Sequence, residues 1–323
     1  MESLLKPPGF ARDLLSDHTD MDRSPHRISD ADRGGIAVSL PDDAYFEYVW
    51  RDGAGKLHRD PENPRSAQSI WYGRVSVIAG PEYRAHPVAA ASMETEPDGE
   101  LRRERLVSEA LGQTRRVNTY TPAGFDGAEL PAILVQDGTA FHRLGRLASA
   151  LDAVLHAGAR PARLVFLEPV EREREYAFDR GYCDFVLDEL TPRLGDLAGP
   201  TGELYLLGAS LGGLAAATVA LAAPERFSGV AVFSAALLGS PLRRDPYLST
   251  DEWVLGQLEA GSAVPGRWFV GTGTLEWLHA PNARLARALD ASGHDVAYME
   301  RSAGHNWPNW RDMTGPALAH LLG

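Results

Sequence analysis

An apolar run over residues 203–207 ends in Gly208-Ala209-Ser210-Leu211-Gly212-Gly213, and small residues follow. This is the Gly-x-Ser-x-Gly pattern of a nucleophile elbow. A serine there sits in a sharp strand-to-helix turn, its hydroxyl held above a sheet, with glycines where side chains would clash. The helix opening at Leu211 aims backbone N–H groups at the same spot, which suits a developing oxyanion. An alkyl hydroxyl is a poor nucleophile until a base removes its proton, and the base needs an acid to orient it. In the elbow architecture the chain order is serine, acid, histidine. Glu276 follows the apolar run 267–271, in Thr272-Gly273-Thr274-Leu275-Glu276. His305 follows the run 296–300, in Ser302-Ala303-Gly304-His305-Asn306-Trp307. Asp251, Glu252 and Asp312 are fallback acids, less well placed. A second oxyanion N–H, paired with that of Leu211, is expected from Gly138 or Thr139 in Gln136-Asp137-Gly138-Thr139. Taken singly, these are a capping serine, a loop carboxylate, a surface histidine and an Asp-Gly turn. Their common order along the chain favours acyl-transfer chemistry.

Such groups need a scaffold of alternating elements. Strands are expected over residues 101–108, 114–120, 132–136, 163–168, 203–208, 229–234, 267–271 and 295–300. Helical patterns fall over 141–156, 182–194, 211–223 and 282–291. This alternation implies βαβ units and a mostly parallel sheet covered on both faces, an α/β fold over residues 101–323. Residues 1–34 are polar and charged and read as a flexible arm. Within residues 35–92, short aromatic and β-branched runs at 36–40, 45–50 and 69–78 are separated by turn-rich pieces at 51–55 and 60–64. They read as a small all-β domain. Residues 93–100 read as a linker.

The 323 residues suffice for one large domain or two smaller ones. A net charge of −12 argues against a nucleic-acid-binding face, which needs clustered Lys and Arg, and disfavours anionic membrane surfaces. The single cysteine, Cys183, excludes an internal disulfide and reads as a small buried hydrophobe. The first residues lack a basic segment followed by an apolar one, so no signal peptide is expected. No apolar run approaches the ~20 residues of a membrane span. The expected location is cytoplasmic.

Together these residues resemble the esterase D-like family of α/β-hydrolases, and within it the enterochelin (ferric-siderophore) esterases. The matching pieces begin with Arg116-Val117-Asn118-Thr119-Tyr120-Thr121-Pro122 and Leu134-Val135-Gln136-Asp137-Gly138. Arg172-Glu173-Arg174-Glu175-Tyr176, residues 185–192, Gly208 to Gly213 and Pro224-Glu225-Arg226-Phe227 follow. Last come Gly273-Thr274-Leu275-Glu276 and Gly304-His305-Asn306-Trp307-Pro308-Asn309-Trp310-Arg311. The match is collinear from residue 101 onward. More weakly, residues 45–50 and 60–64 resemble the family's N-terminal β-sandwich. One loop departs from the pattern, with Ala303-Gly304-His305-Asn306 where the family often has Gly-Gly-His-Asp.

The resemblance implies an α/β-hydrolase domain behind a small β-sandwich, and a serine esterase with the triad Ser210, Glu276 and His305. It implies no metal or organic cofactor, and a small-molecule ester substrate such as a ferric catecholate siderophore. Arg172, Glu175 and Arg311 are then expected at the substrate. Trp307 and Trp310 would wall an aromatic pocket or pack the last helix. Rival readings change the ester to a feruloyl, acetyl or S-formyl one, transfer the acyl group to a sugar, or make the chain a binding module on a hydrolase scaffold. The oligomeric state is left open, a homo-oligomer included.

Overall fold

The computed structural model, which describes residues 1–69, 72–246 and 248–323, places strands where a flexible arm was expected. These are β1 (Glu2–Leu5), β2 (Ala11–Ser16) and β3 (His26–Arg27). Leu5, Ala11, Leu14 and Leu15 are buried, and so is Asp13, whose carboxylate takes Arg51 at 2.9 Å. Polar residues buried with partners distant in sequence leave the stretch looking solvated in its composition.

β4 (Ile36–Ser39), β5 (Tyr45–Asp52), β6 (Leu57–His58), β7 (Ser66–Gln68) and β8 (Arg74–Ala79) follow. A six-stranded antiparallel sheet has the order β3-β2-β5-β8-β7, with β6 on β5, and β1 pairs with β4 as a separate ribbon. Leu5 and Val38 of the ribbon share one core with Leu14, Phe46 and Trp50 of the sheet. Of the strand expected over 69–78, Ile70 and Trp71 lie outside the described residues.

These strands belong to one compact unit made of Met1–Ala85, Gly273–His279 and Glu300–Asn309. The other unit comprises His86–Thr272, Ala280–Met299 and Trp310–Gly323. The expected boundary at residue 92 therefore moves. His86 and Pro87 start helix α1 (Pro87–Glu94), where proline suits the first helical position. α1 fills part of the expected linker.

The second unit is built on β9 (Glu100–Ser108), β10 (Gln113–Thr121), β11 (Leu130–Val135), β12 (Arg163–Leu167), β13 (Thr201–Ala209), β14 (Gly229–Phe233), β15 (Arg267–Gly273) and β16 (Asp295–Arg301). Their order is β16-β15-β14-β13-β11-β12-β10-β9. From β12 to β15 neighbouring strands run parallel, while β10 is antiparallel to both β12 and β9. Every residue of β11, β12 and β14 is buried, so both faces of the sheet are covered. The helices are α2 (Gly138–Arg143), α3 (Leu147–His156), α4 (Arg172–Tyr176), α5 (Arg180–Asp184), α6 (Leu194–Ala198), α7 (Leu211–Ala222), α8 (Trp253–Glu259), α9 (His279–Ala291) and α10 (Trp307–Leu322).

The helix expected over 141–156 is two helices, because Arg146 between them adopts φ 54°. The one expected over 182–194 passes from α5 through a π-helical turn, Phe185–Leu190, and a 3₁₀ turn, Thr191–Arg193, into α6. Pro192 has no N–H to continue an α-helical ladder. Cys183 is buried, and burial pushes its thiol up to about 12. Among the described residues no helix is long and apolar enough to cross a membrane.

One expected substrate contact is instead part of this framework. Glu175 is buried with its carboxylate on Arg115 of β10, at 2.8 and 2.6 Å, and it also accepts the Glu171 amide at 2.9 Å. The counter-ion of this carboxylate lies 60 residues upstream, outside the run 171–175. Burial alone would raise the Glu175 carboxyl, yet the bonds from Arg115 and the amides outweigh it and hold it below the usual range. A lowered carboxylate stabilises the fold above the ordinary carboxylate pKa, and that contribution fades as pH falls through the folded value. Glu175→Gln leaves Arg115 buried without its counter-charge. It is expected to cost about 3–5 kcal/mol at pH 7, and less toward pH 3, as read from urea unfolding at both pH values.

Candidate active site

Ser210 stands between the end of β13 and the start of α7 with φ 56° and ψ −128°. Such a conformation costs a non-glycine residue roughly 1–3 kcal/mol and persists only where the surroundings enforce it. The Ser210 amide donates to the Phe233 carbonyl at 2.9 Å. Its own carbonyl accepts the amides of Leu214, at 3.1 Å, and Ala236, at 2.9 Å. The thin flanks have a steric cause. A Cβ on Gly208 would run into the Gly212 carbonyl, and one on Gly213 would lie 2.8 Å from the Ala235 Cβ. A Cβ on Gly212 would lie 2.9 Å from the Asp137 carboxylate.

That last contact brings the start of α7 against the loop between β11 and α2. Among the described residues the amides of Leu211 and Gly138 meet no acceptor. Thr139 does not share this role. Its amide donates to Glu168 Oε2 at 2.8 Å, so of the two expected donors Gly138 remains. A side chain at Gly138 is excluded, since a Cβ would lie 2.6 Å from that of Phe166.

The expected substrate-binding arginines have protein partners. Arg172 grips both carboxylate oxygens of Asp137, each at 2.8 Å. Arg311 donates to the Leu144 carbonyl at the end of α2, at 2.9 Å. Trp310 is buried with its indole N–H on Ser234 Oγ at 2.9 Å, so it packs α10 rather than walling a pocket. Beside Leu211 lies instead a cavity of about 320 Å³, lined by Glu173, Arg174, Ala177, Arg244, Asp245 and Pro246. Sequence reasoning named the run holding Glu173 and Arg174 but overlooked Arg244 to Pro246. The adjacent cations Arg243 and Arg244 were the available signal.

The acid and the histidine meet in the first unit. Glu276 Oε2 lies 2.5 Å from His305 Nδ1, and Oε1 accepts the Gly273 amide at 2.7 Å. The glutamate side chain is 1% exposed and the histidine 18%, so the pair is dry on the acid side. The Tyr45 amide donates to the Ser302 carbonyl at 2.8 Å, and the Leu275 amide to Ala303 at 3.0 Å. Asp20 accepts the Trp277 amide at 2.9 Å. Asp17 accepts the Glu47 amide at 2.7 Å and fills the space where a side chain on Gly304 would be. Burial first, then the charge of Glu47, pushes the Asp17 carboxyl well above its usual range. The loops of Glu276 and His305 thus belong to the compact unit of the N-terminal sheet.

Asn306, where the resembled family often has aspartate, accepts the Asn309 amide at 3.0 Å and caps α10. The cap needs an acceptor oxygen, which asparagine supplies without charge. Trp307, next in the chain, is buried. The fallback acids are engaged in the second unit: Glu252 with Arg284, Asp251 with Ser240 and Asp312 with the His86 amide. Among the described residues no group of three or more His, Cys, Asp or Glu side chains is arranged to hold a metal ion.

Residues 108–321 match the family model described as "Putative esterase". The iron(III) enterobactin esterase of Dickeya dadantii (strain 3937) is 30% identical over 224 residues, which are 63% of this chain and 51% of that protein. The chain therefore spans about half the length of this curated relative. The structure of the ferric enterobactin esterase of Salmonella typhimurium matches with a TM-score of 0.77 at 18% identity, over 99% of this chain and 92% of that one. The Shigella flexneri enterobactin esterase, crystallised in the presence of enterobactin, matches with a TM-score of 0.76 at 20% identity and the same coverage. At these identities the two structures show a shared fold.

Proposed function

Since the chain belongs to the esterase family whose model it matches over residues 108–321, we propose that it is a serine esterase acting on a ferric catecholate siderophore. The observation that carries the chemistry is the Ser210 elbow, with the Leu211 and Gly138 amides lacking acceptors beside it. The strand order supports an α/β-hydrolase domain. Counted from β9, it runs 1-2-4-3-5-6-7-8.

In this reading the Ser210 hydroxyl attacks the ester carbonyl carbon and His305 Nε2 takes its proton. Glu276 holds the proton on Nδ1 and stabilises the imidazolium. The Leu211 and Gly138 amides bear the oxyanion. As the tetrahedral intermediate collapses, His305 gives its proton to the leaving alcohol. Water then gives a proton to His305 and bonds to the acyl carbon; as the C–Oγ bond breaks, His305 returns that proton to Ser210 Oγ and the acid leaves.

The siderophore reading draws on the relatives named above and on the cavity beside Leu211, whose wall carries Arg174, paired with Glu171, and Arg244, 3.5 Å from Asp179; an anionic substrate would share these cations. Its test is product formation from an iron-loaded catecholate trilactone, a feruloyl ester, p-nitrophenyl acetate and p-nitrophenyl octanoate. The trilactone is expected to be cleaved with the highest kcat/KM. Arg174→Ala with Arg244→Ala is expected to raise KM for the trilactone about tenfold or more, on the scale of losing charge-assisted contacts, and to leave that for p-nitrophenyl acetate unchanged. Turnover of the simple esters alone would keep the serine chemistry and discard the siderophore.

A further inference from the structure

The loop that carries Gly138 is tied at two adjacent residues by two buried tyrosines. The Asp137 amide donates to the Tyr176 hydroxyl at 2.9 Å. The Tyr182 hydroxyl donates to Gln136 Oε1. The two rings pack edge-on, with centroids 5.2 Å apart. All three side chains are buried. The direction of each bond is fixed, since an amide N–H can only donate and a carbonyl oxygen can only accept. Burial raises both phenols, so each keeps its proton.

The tied residue is the strained one. Asp137 adopts φ 54° and ψ 46°, a left-handed conformation that a non-glycine residue avoids unless it is held. The plane of the next peptide bond, which contains the Gly138 N–H, turns with the Asp137 ψ. A small rotation there would swing that N–H away from an oxyanion, whose stabilisation depends on donors already aimed.

We infer that Tyr176, with Tyr182 packed against it and tied to the adjacent Gln136, is a positioning residue for ester hydrolysis that fixes Asp137 in its left-handed turn and so aims the Gly138 N–H. The inference rests on the esterase reading. Neither tyrosine touches the substrate. The Arg172 fork on the Asp137 side chain is a second hold on the same residue. This explains why Arg172 and Tyr176 share one short helix, α4, which Glu175 anchors to Arg115.

The test is steady-state kinetics on a p-nitrophenyl ester with the full chain carrying Tyr176→Phe or Tyr182→Phe, beside inhibition by an alkyl boronic acid. The boronate becomes a tetrahedral anion on the serine and so reports the oxyanion donors. Removing one oxyanion donor outright costs about 10²–10³ in kcat, so a misaimed one is expected to cost about 10–100-fold. Tyr176→Phe should lower kcat by that factor, leave KM within about threefold, and weaken boronate inhibition in proportion. Tyr182→Phe keeps the acceptor for the Asp137 amide and should show the same pattern at smaller size. It decides the matter if Tyr176→Phe does not fold.

Variants that keep wild-type kcat and boronate affinity would overturn the inference. A loss of kcat with boronate affinity unchanged would do the same. A wild-type chain that cleaves no ester and takes no fluorophosphonate at Ser210 would instead overturn the esterase reading, and the inference with it.

Discussion

Ser210→Ala is expected to lower kcat by about 10⁶-fold, the scale on which loss of a triad serine is felt. It should also abolish labelling by a fluorophosphonate. The melting temperature should stay nearly unchanged, because deleting one oxygen leaves the backbone bonds to Phe233, Leu214 and Ala236 in place. The contrast between activity and stability is what identifies a nucleophile. A serine that merely caps α7 would show the reverse. Residual turnover of about 10³–10⁴ over water would reflect the oxyanion amides and substrate binding alone. Activity within tenfold of wild type would place the nucleophile elsewhere.

Glu276→Gln is the more discriminating change. The carboxylate does two things at once, accepting the Gly273 amide through Oε1 and facing His305 Nδ1 through Oε2. Glutamine has only one oxygen. With that oxygen kept on the Gly273 amide, its NH₂ faces Nδ1. Nδ1 must then accept, which forces the imidazole proton onto Nε2. The histidine cannot take a proton at an atom that already bears one. The expected loss is about 10⁴ in kcat at pH 7, the size of the wrong-tautomer effect in a serine–histidine–aspartate enzyme. Circular dichroism should show an intact fold. Near-normal kcat in this variant would remove Glu276 from the proposed triad.

Much of the second unit was legible because its central strands are largely apolar and buried and its turns are marked by glycine. The eight strands fall within about two residues of their expected bounds, and the elbow follows from steric demands local to six residues. What escaped depended on partners distant in sequence. The charge run 171–175 gives no sign that Glu175 meets Arg115, nor that Arg172 meets Asp137. Thr139 looked equal to Gly138 as a donor until Glu168 was found on its amide. The first 34 residues were misread because charged residues such as Asp13 and Asp17 are buried there against partners distant in sequence. Asp17 against Gly304 and Tyr45 on Ser302 could not be read at all, since backbone groups and an absent side chain leave no pattern in residue type.

The assignment of the Glu276 and His305 loops to the N-terminal unit bears on how such a chain can be inherited. A gene fragment starting at residue 108, where the family match begins, would still encode Ser210, Glu276 and His305. It would not encode Asp17, Asp20 or Tyr45, the residues that brace the loops of the last two. The β-sheet at the front is therefore a poor candidate for shuffling. An exchanged module brings its own surface but not the fitted carboxylate and amides that keep a neighbour's histidine in order.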